Sequence, residues 1–188
     1  MHLLVSLLLS FFTSWAYADL NIYTDRSAGY LRPIADQFTQ KTGVQVNILE
    51  DSAPNIILRL KTEGAQTPAD LVWVKDMVYL ADLVSKNLLQ PMKSSLVLTE
   101  VAPAMQDPNG LWTAITIRPR TVVYNPARVS SHELSGYADL ASEKWAGRLC
   151  LRTSQSSYNE ALVASLVAHM GEQKAKEVIK GWVDKLAQ

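Results

Sequence analysis

The sequence predicts an α/β fold built around a mostly parallel sheet, and three observations carry that reading. Leu20-Asn21-Ile22-Tyr23 and Val44-Gln45-Val46-Asn47-Ile48 alternate apolar and polar residues, the two-residue period of a strand. Between and after them lie segments whose apolar residues recur at helical spacing. Leu71-Val72-Trp73-Val74 is a continuous apolar run, the form taken by a parallel strand covered on both faces. Strands that alternate with helices give βαβ units and hence a parallel sheet.

The elements follow in order. After the first strand, a helix is expected over about 30–42, with Pro33 in its first turn, Ile34 and Phe38 on one face, and Gly43 as the stop. Asp51-Ser52-Ala53-Pro54 leads into a helix marked by Ile56, Ile57 and Leu60 and closed near Gly64. Thr67-Pro68-Ala69-Asp70 turns the chain into the apolar strand, and a helix follows over about 77–87, with Leu80, Leu83 and Val84 inward. Further on, 112–117 and 121–124 read as strands separated by Arg118-Pro119-Arg120. Ser135 is expected to cap a short helix through Trp145, and Leu149-Cys150-Leu151 to resume a strand. Residues 153–157 form a polar turn into a helix over about 158–170, stopped by Gly171. The final segment is helical by pattern, with Ala175, Val178, Ile179, Trp182 and Leu186 at three-to-four spacing and Gly181 weakening it locally. No strand follows that helix, so the sequence reads as interrupted.

Composition narrows the function. Eighteen Lys and Arg balance 18 Asp and Glu in 188 residues, which argues against a basic nucleic-acid-binding surface. Three His and one Cys cannot build a four-ligand zinc site of the usual imidazole and thiolate kind. The phosphate-cradling patterns GxxxxGK[ST] and GxGxxG are both absent.

The N-terminus reads as an export signal over residues 1–18. An apolar run over 3–12, broken only by Ser6 and Ser10, precedes Ala16-Tyr17-Ala18, which fits the small-x-small cleavage rule. The Lys or Arg that usually precedes such a run is missing, and only His2 stands there. With no Cys near the cut a lipid anchor is not expected, and no later segment reaches the roughly 18 apolar residues of a membrane span. Cys150 is then a lone cysteine in an oxidising compartment, expected as a buried, unreactive thiol within its apolar run.

Catalytic candidates are few. His132 lies in a polar segment and His169 near a helix C-terminus, where its charge suits the helix dipole. Neither pairs with a GxSxG nucleophile turn, so a secreted α/β hydrolase is disfavoured. Three polar clusters remain at strand ends: Thr24-Asp25-Arg26-Ser27, Arg118-Pro119-Arg120, and 153–159. In open α/β sheets ligands bind at such junctions, and helix N-termini attract anions. Solvated arginines, with Tyr158 as an amphipathic helix cap, account for the same pattern equally well.

Longer runs carry a resemblance. Pro68-Ala69-Asp70-Leu71, the run from Arg118-Pro119-Arg120 to Tyr124-Asn125, Trp145-Ala146-Gly147-Arg148 through Thr153-Ser154, Tyr158-Asn159 and Gly181-Trp182-Val183 resemble periplasmic ferric-ion-binding proteins. These are extracellular solute-binding proteins of ABC importers. The resemblance implies a type II, two-lobed α/β fold of which this chain supplies the N-terminal part, with the second lobe incomplete. Lobe one would take 19–117, a crossover strand 118–124, and part of lobe two 125–188. Tyr158 would coordinate Fe³⁺, a hard cation served by phenolate oxygen, while Arg26 and Arg120 would hold a synergistic anion such as carbonate or balance the phenolate charge. Two further ligands, a Tyr-Tyr pair, would lie downstream of residue 188. The early His or Tyr ligands of some relatives are replaced by Ser27 and Ala28. The implied protein is a monomeric periplasmic carrier rather than an enzyme, without nucleic-acid partner or membrane anchor, delivering to an inner-membrane ABC permease. The alternative cargo is a small anion held by Arg26 and Arg120.

Overall fold

The computed structural model describes residues 18–187. The expected export signal lies outside the described residues except for Ala18. The chain divides into two compact units between Lys75 and Asp76.

The first unit is the predicted βαβαβ run. Strand β1 (Leu20–Thr24) is followed by helix α1 (Ala28–Thr42), β2 (Val46–Glu50), helix α2 (Ala53–Glu63) and β3 (Leu71–Trp73). The three strands are parallel in the order β2-β1-β3, with Ile22 opposite both Ile48 and Leu71. Ile22, Leu31, Ala35 and Val46 form a buried cluster beneath α1. On α2, Ile56, Ile57 and Leu60 are buried as their spacing predicts, and the Ser52 hydroxyl caps the helix by accepting from the Asn55 N–H.

Three details depart from the sequence reading. Helix α1 begins two residues early, so that Pro33 lies inside it. The Glu50 carboxylate, brought over by β2, accepts from the Ala28 N–H at 2.7 Å and satisfies a free donor of the first turn. Ile34 and Phe38 do share a face, but it is exposed, and the buried stripe runs through Leu31 and Ala35. Strand β3 is not covered on both faces, since Leu71 is exposed.

The second unit is mostly helical. Helix α3 (Met77–Ser85) buries Leu83, and α4 (Ser95–Glu100) follows after a loop. Helices α5 (Ser157–Met170) and α6 (Glu172–Asp184) pack against each other across Gly171, whose φ of 81° is the left-handed value that favours glycine. Leu140, Trp145, Leu149, Leu166, Ala175, Val178 and Trp182 form the core. The Trp182 indole N–H donates to the Tyr137 carbonyl at 2.9 Å, which satisfies its buried polar end.

The helix expected from Ser135 to Trp145 is two 3₁₀ turns, Ala138–Ala141 and Glu143–Trp145, separated at the extended Ser142. The runs 112–117 and 121–124 form no ladder among the described residues. Thr113 makes an isolated antiparallel bridge to Gln106, and Leu149 a parallel one to Leu186. Alternation favours extended backbone, but a strand needs a neighbour to hydrogen-bond, and that partner is non-local. Cys150 is exposed, not buried: with one bridge at Leu149 and no sheet over it, the apolar run Leu149-Cys150-Leu151 turns only Leu149 inward. Among the described residues, no helix is long and apolar enough to cross a membrane.

Candidate functional site

Tyr158 stands in the first turn of α5, at the end of the polar turn 153–156. That turn is built locally: the Ser156 N–H donates to the Thr153 carbonyl at 3.2 Å, and the Asn159 amide reaches back to the carbonyls of Arg152 and Thr153. Asn159 therefore fixes the approach of the chain to Tyr158, and the adjacency Tyr158-Asn159 has a structural cause.

Three guanidiniums surround the Tyr158 ring. Those of Arg118, Arg120 and Arg152 lie 5.0, 4.9 and 4.7 Å from its centroid, within the range of cation–π attraction. Arg118 also donates from Nη1 to the Tyr158 hydroxyl oxygen at 2.8 Å. Pro119 explains why two of the three arrive together. Proline disfavours helix at the residue before it, and side chains two apart on an extended chain point the same way.

Charge around the ring is therefore strongly positive. Asp76, at the start of α3, offsets part of it: its carboxylate accepts from the Ser157 hydroxyl at 2.9 Å and lies 3.5 Å from Nη2 of Arg118. The Asp76 side chain is only 8% exposed. A half-buried phenol whose ring is stacked by cations can accept further hydrogen bonds at its oxygen or sit beside a bound anion. Among the described residues, no group of three or more His, Cys, Asp and Glu could hold a metal ion.

Of the residues singled out in the sequence, Tyr158 and Arg120 are brought together. Arg26 belongs to the first unit, just past β1, where its backbone N–H donates to the buried Thr24 hydroxyl at 3.0 Å. Arg118 and Ser157 lie within the polar clusters expected from the sequence, whereas Arg152 and Asp76 lie outside them. Asp76 had no local signal, because its partners lie 42 and 81 residues away. His132 is exposed in a 3₁₀ turn, and Nδ1 of His169 lies 2.8 Å from the Ser165 carbonyl within its own helix.

The family model for bacterial extracellular solute-binding proteins matches residues 20–188. The chain belongs to that family. Iron uptake protein A1 of Synechocystis sp. is 36% identical over 170 residues, covering 90% of this chain and 47% of the relative. The major ferric iron-binding protein of Neisseria meningitidis is 28% identical over 172 residues, covering 88% of this chain and 50% of that protein. Among solved structures, a Trichodesmium protein in complex with iron and citrate ligands superposes with a TM-score of 0.85 at 35% identity, covering 92% of this chain and 54% of that one. The ferric binding protein from Campylobacter jejuni gives 0.80 at 33% identity, covering 90% and 54%. The α/β solute-binding fold expected from the sequence is thus the fold observed. The chain spans about half the length of the curated relatives it matches. As a solute-binding protein, it belongs to a family of binding proteins rather than enzymes.

Proposed function

We propose that this chain serves periplasmic capture of ferric iron for an inner-membrane ABC permease, with Tyr158 as an iron ligand and an arginine-held anion beside it. The observation that carries the reading is the Tyr158 ring set among the Arg118, Arg120 and Arg152 guanidiniums, with Arg118 donating to its hydroxyl oxygen. The names of the relatives, ferric iron-binding and iron uptake proteins, supply the cargo. The lobe division at 118–124, the monomeric state, the cut after Ala18 and the contribution of Arg26 belong to the same proposal.

The chemistry supports it. Fe³⁺ is small and highly charged and favours anionic oxygen donors, of which phenolate is the strongest a side chain offers at neutral pH once the metal has displaced its proton. A carbonate or carboxylate beside it can be gripped by guanidiniums, which stay charged throughout and bond bidentately. Protons compete with iron for phenolate, so affinity falls with pH.

Adding ferric citrate should produce a visible phenolate-to-iron absorption band that Tyr158→Phe removes. A band of unchanged intensity in Tyr158→Phe sinks the ligand assignment. The three guanidiniums favour one second reading, a small anion as cargo. Calorimetry with citrate or bicarbonate, each without iron, separates the two: saturable binding to the anion that ferric ion leaves unchanged would favour the second.

A further inference from the structure

We infer that Asp76 is a positioning residue for this site: its buried carboxylate aims the Arg118 guanidinium at the Tyr158 oxygen. For its functional consequence the inference rests on the proposed role of Tyr158, but its geometry does not.

The first observation is a local rule that Asp76 breaks. It occupies the N-cap of α3, with the extended backbone of a cap (φ −130°, ψ 139°), and aspartate there ordinarily accepts from the first N–H groups of its helix. The Asp76 side chain makes no such bond. The carboxylate turns instead to α5, where Oδ2 accepts from the Ser157 hydroxyl at 2.9 Å, and to Arg118, whose Nη2 lies 3.5 Å from Oδ1. A common local interaction forgone in favour of distant partners marks a position where a further requirement overrides helix stability.

The second observation is how the bonds divide on Arg118. A guanidinium is a rigid planar fork, so fixing one nitrogen fixes the direction of the others. With Nη2 directed toward Asp76, Nη1 donates to the Tyr158 oxygen at 2.8 Å. Ser157 and Tyr158 are consecutive, so the same carboxylate tethers both ends of this contact: the donor through Arg118 and the acceptor through the backbone of α5.

The third observation is burial. The Asp76 side chain is 8% exposed, whereas that of Arg118 is 44% exposed. A long, half-exposed arginine left to solvent would sample many rotamers. A buried carboxylate has few alternatives, and it holds its charge in place only while its hydrogen bonds are kept. The rigid partner therefore sets the position of the flexible one. Asparagine in its place keeps the size and one acceptor oxygen but removes the charge, so it offers the guanidinium at most a neutral, weaker acceptor.

The test has two arms on the purified full chain. In ¹⁵N spectra of the arginine side chains, Arg118, assigned by loss of its signals in Arg118→Lys, should show resolved, slowly exchanging Nη resonances. Asp76→Asn should collapse them to a rotationally averaged signal, and unchanged Arg118 resonances would overturn the inference. If Asp76→Asn fails to fold by circular dichroism, Ser157→Ala, which cuts one of the two tethers, must weaken the same resonances or the inference falls. The second arm titrates ferric citrate into Asp76→Asn, Arg118→Met and the double variant. Asp76→Asn should lose about tenfold in affinity, the lower end of the effect of a residue supporting a metal ligand, and should cost nothing further in the Arg118→Met background. Additive losses would mean that Asp76 acts by another route and would overturn the inference. If the unmodified chain takes up no iron, the iron reading fails while the nitrogen spectra still decide the role of Asp76.

Discussion

Gly181 in α6 lies against Ala141 so closely that a methyl group on Gly181 would sit 2.5 Å from the Ala141 Cβ and 3.1 Å from its Cα. The absence of a side chain at Gly181 is what lets α6 seat on the 3₁₀ turn Ala138–Ala141, next to the buried Trp182. By helix propensity alone, alanine at this interior position would stabilise the chain by about 1 kcal/mol. Overlap with another residue's Cβ and backbone should reverse that sign. Gly181→Ala is expected to lower stability by roughly 1–3 kcal/mol in urea unfolding, the usual cost of overpacking. A rise in the unfolding midpoint would mean that α6 is free to shift.

How much of this was legible in the sequence depends on the range of the causes. The first unit was read almost element by element, because alternation, helical spacing and the stops at Gly43 and Gly64 are local signals. The start of α1 was missed by two residues because its cap comes from Glu50, a residue of the next strand. The strands expected over 112–124 were misread for a related reason, since the pattern reports a preference for extended backbone and carries no information about the neighbour that would pair with it. At the site, strand-end position nominates the clusters that hold Arg120 and Tyr158, and only their separate roles come from resemblance. Arg152 and Asp76 become visible only once the turn at 153–156 and the start of α3 are folded against α5.

Cys150 offers a direct check on one correction. Expected as a buried thiol, it is exposed beside Arg148 and Arg152, neighbours two residues away on either side. Thiol reactivity follows access and thiolate character. The native chain should react with one equivalent of a water-soluble disulfide reagent at a rate close to that of the urea-unfolded chain. Labelling only after unfolding would return Cys150 to the core.

Glu63 should make the first unit sensitive to acid. Its carboxylate accepts from the Thr67 hydroxyl at 2.7 Å, and from Arg59 and the Tyr23 hydroxyl. These bonds, that from Thr67 foremost, hold its pKa below the ordinary glutamate value. A depressed carboxylate pKa stabilises the fold above the unfolded value of about 4.3, and that stabilisation disappears as pH falls through the folded value. The stability difference between the native chain and Glu63→Gln should therefore be present at neutral pH and shrink below about pH 4.3. A difference that stays constant between pH 7 and pH 3 would show that the ionised carboxylate contributes nothing.

The last prediction concerns the division of labour between Tyr158 and the arginines. If Tyr158 binds the metal and the guanidiniums hold an anion beside it, the two should fail differently. Tyr158→Phe keeps the ring, and hence the surface on which Arg118, Arg120 and Arg152 stack, while it removes the hydroxyl oxygen that accepts from Arg118. That variant should lose the iron band yet still bind citrate. Arg120→Met removes a cation that stacks on the ring, so the band should remain at saturating iron, with citrate affinity about tenfold lower, as for loss of a charge-assisted hydrogen bond. One phenolate also leaves most of the roughly six donor positions of a hard octahedral ion to be filled by the anion, water or further ligands, so the iron held through Tyr158 should be stripped readily by a stronger chelator. Equal loss of both ligands in both variants would mean that Tyr158 and Arg120 serve a single anion site, and the second reading of the function would then be the right one.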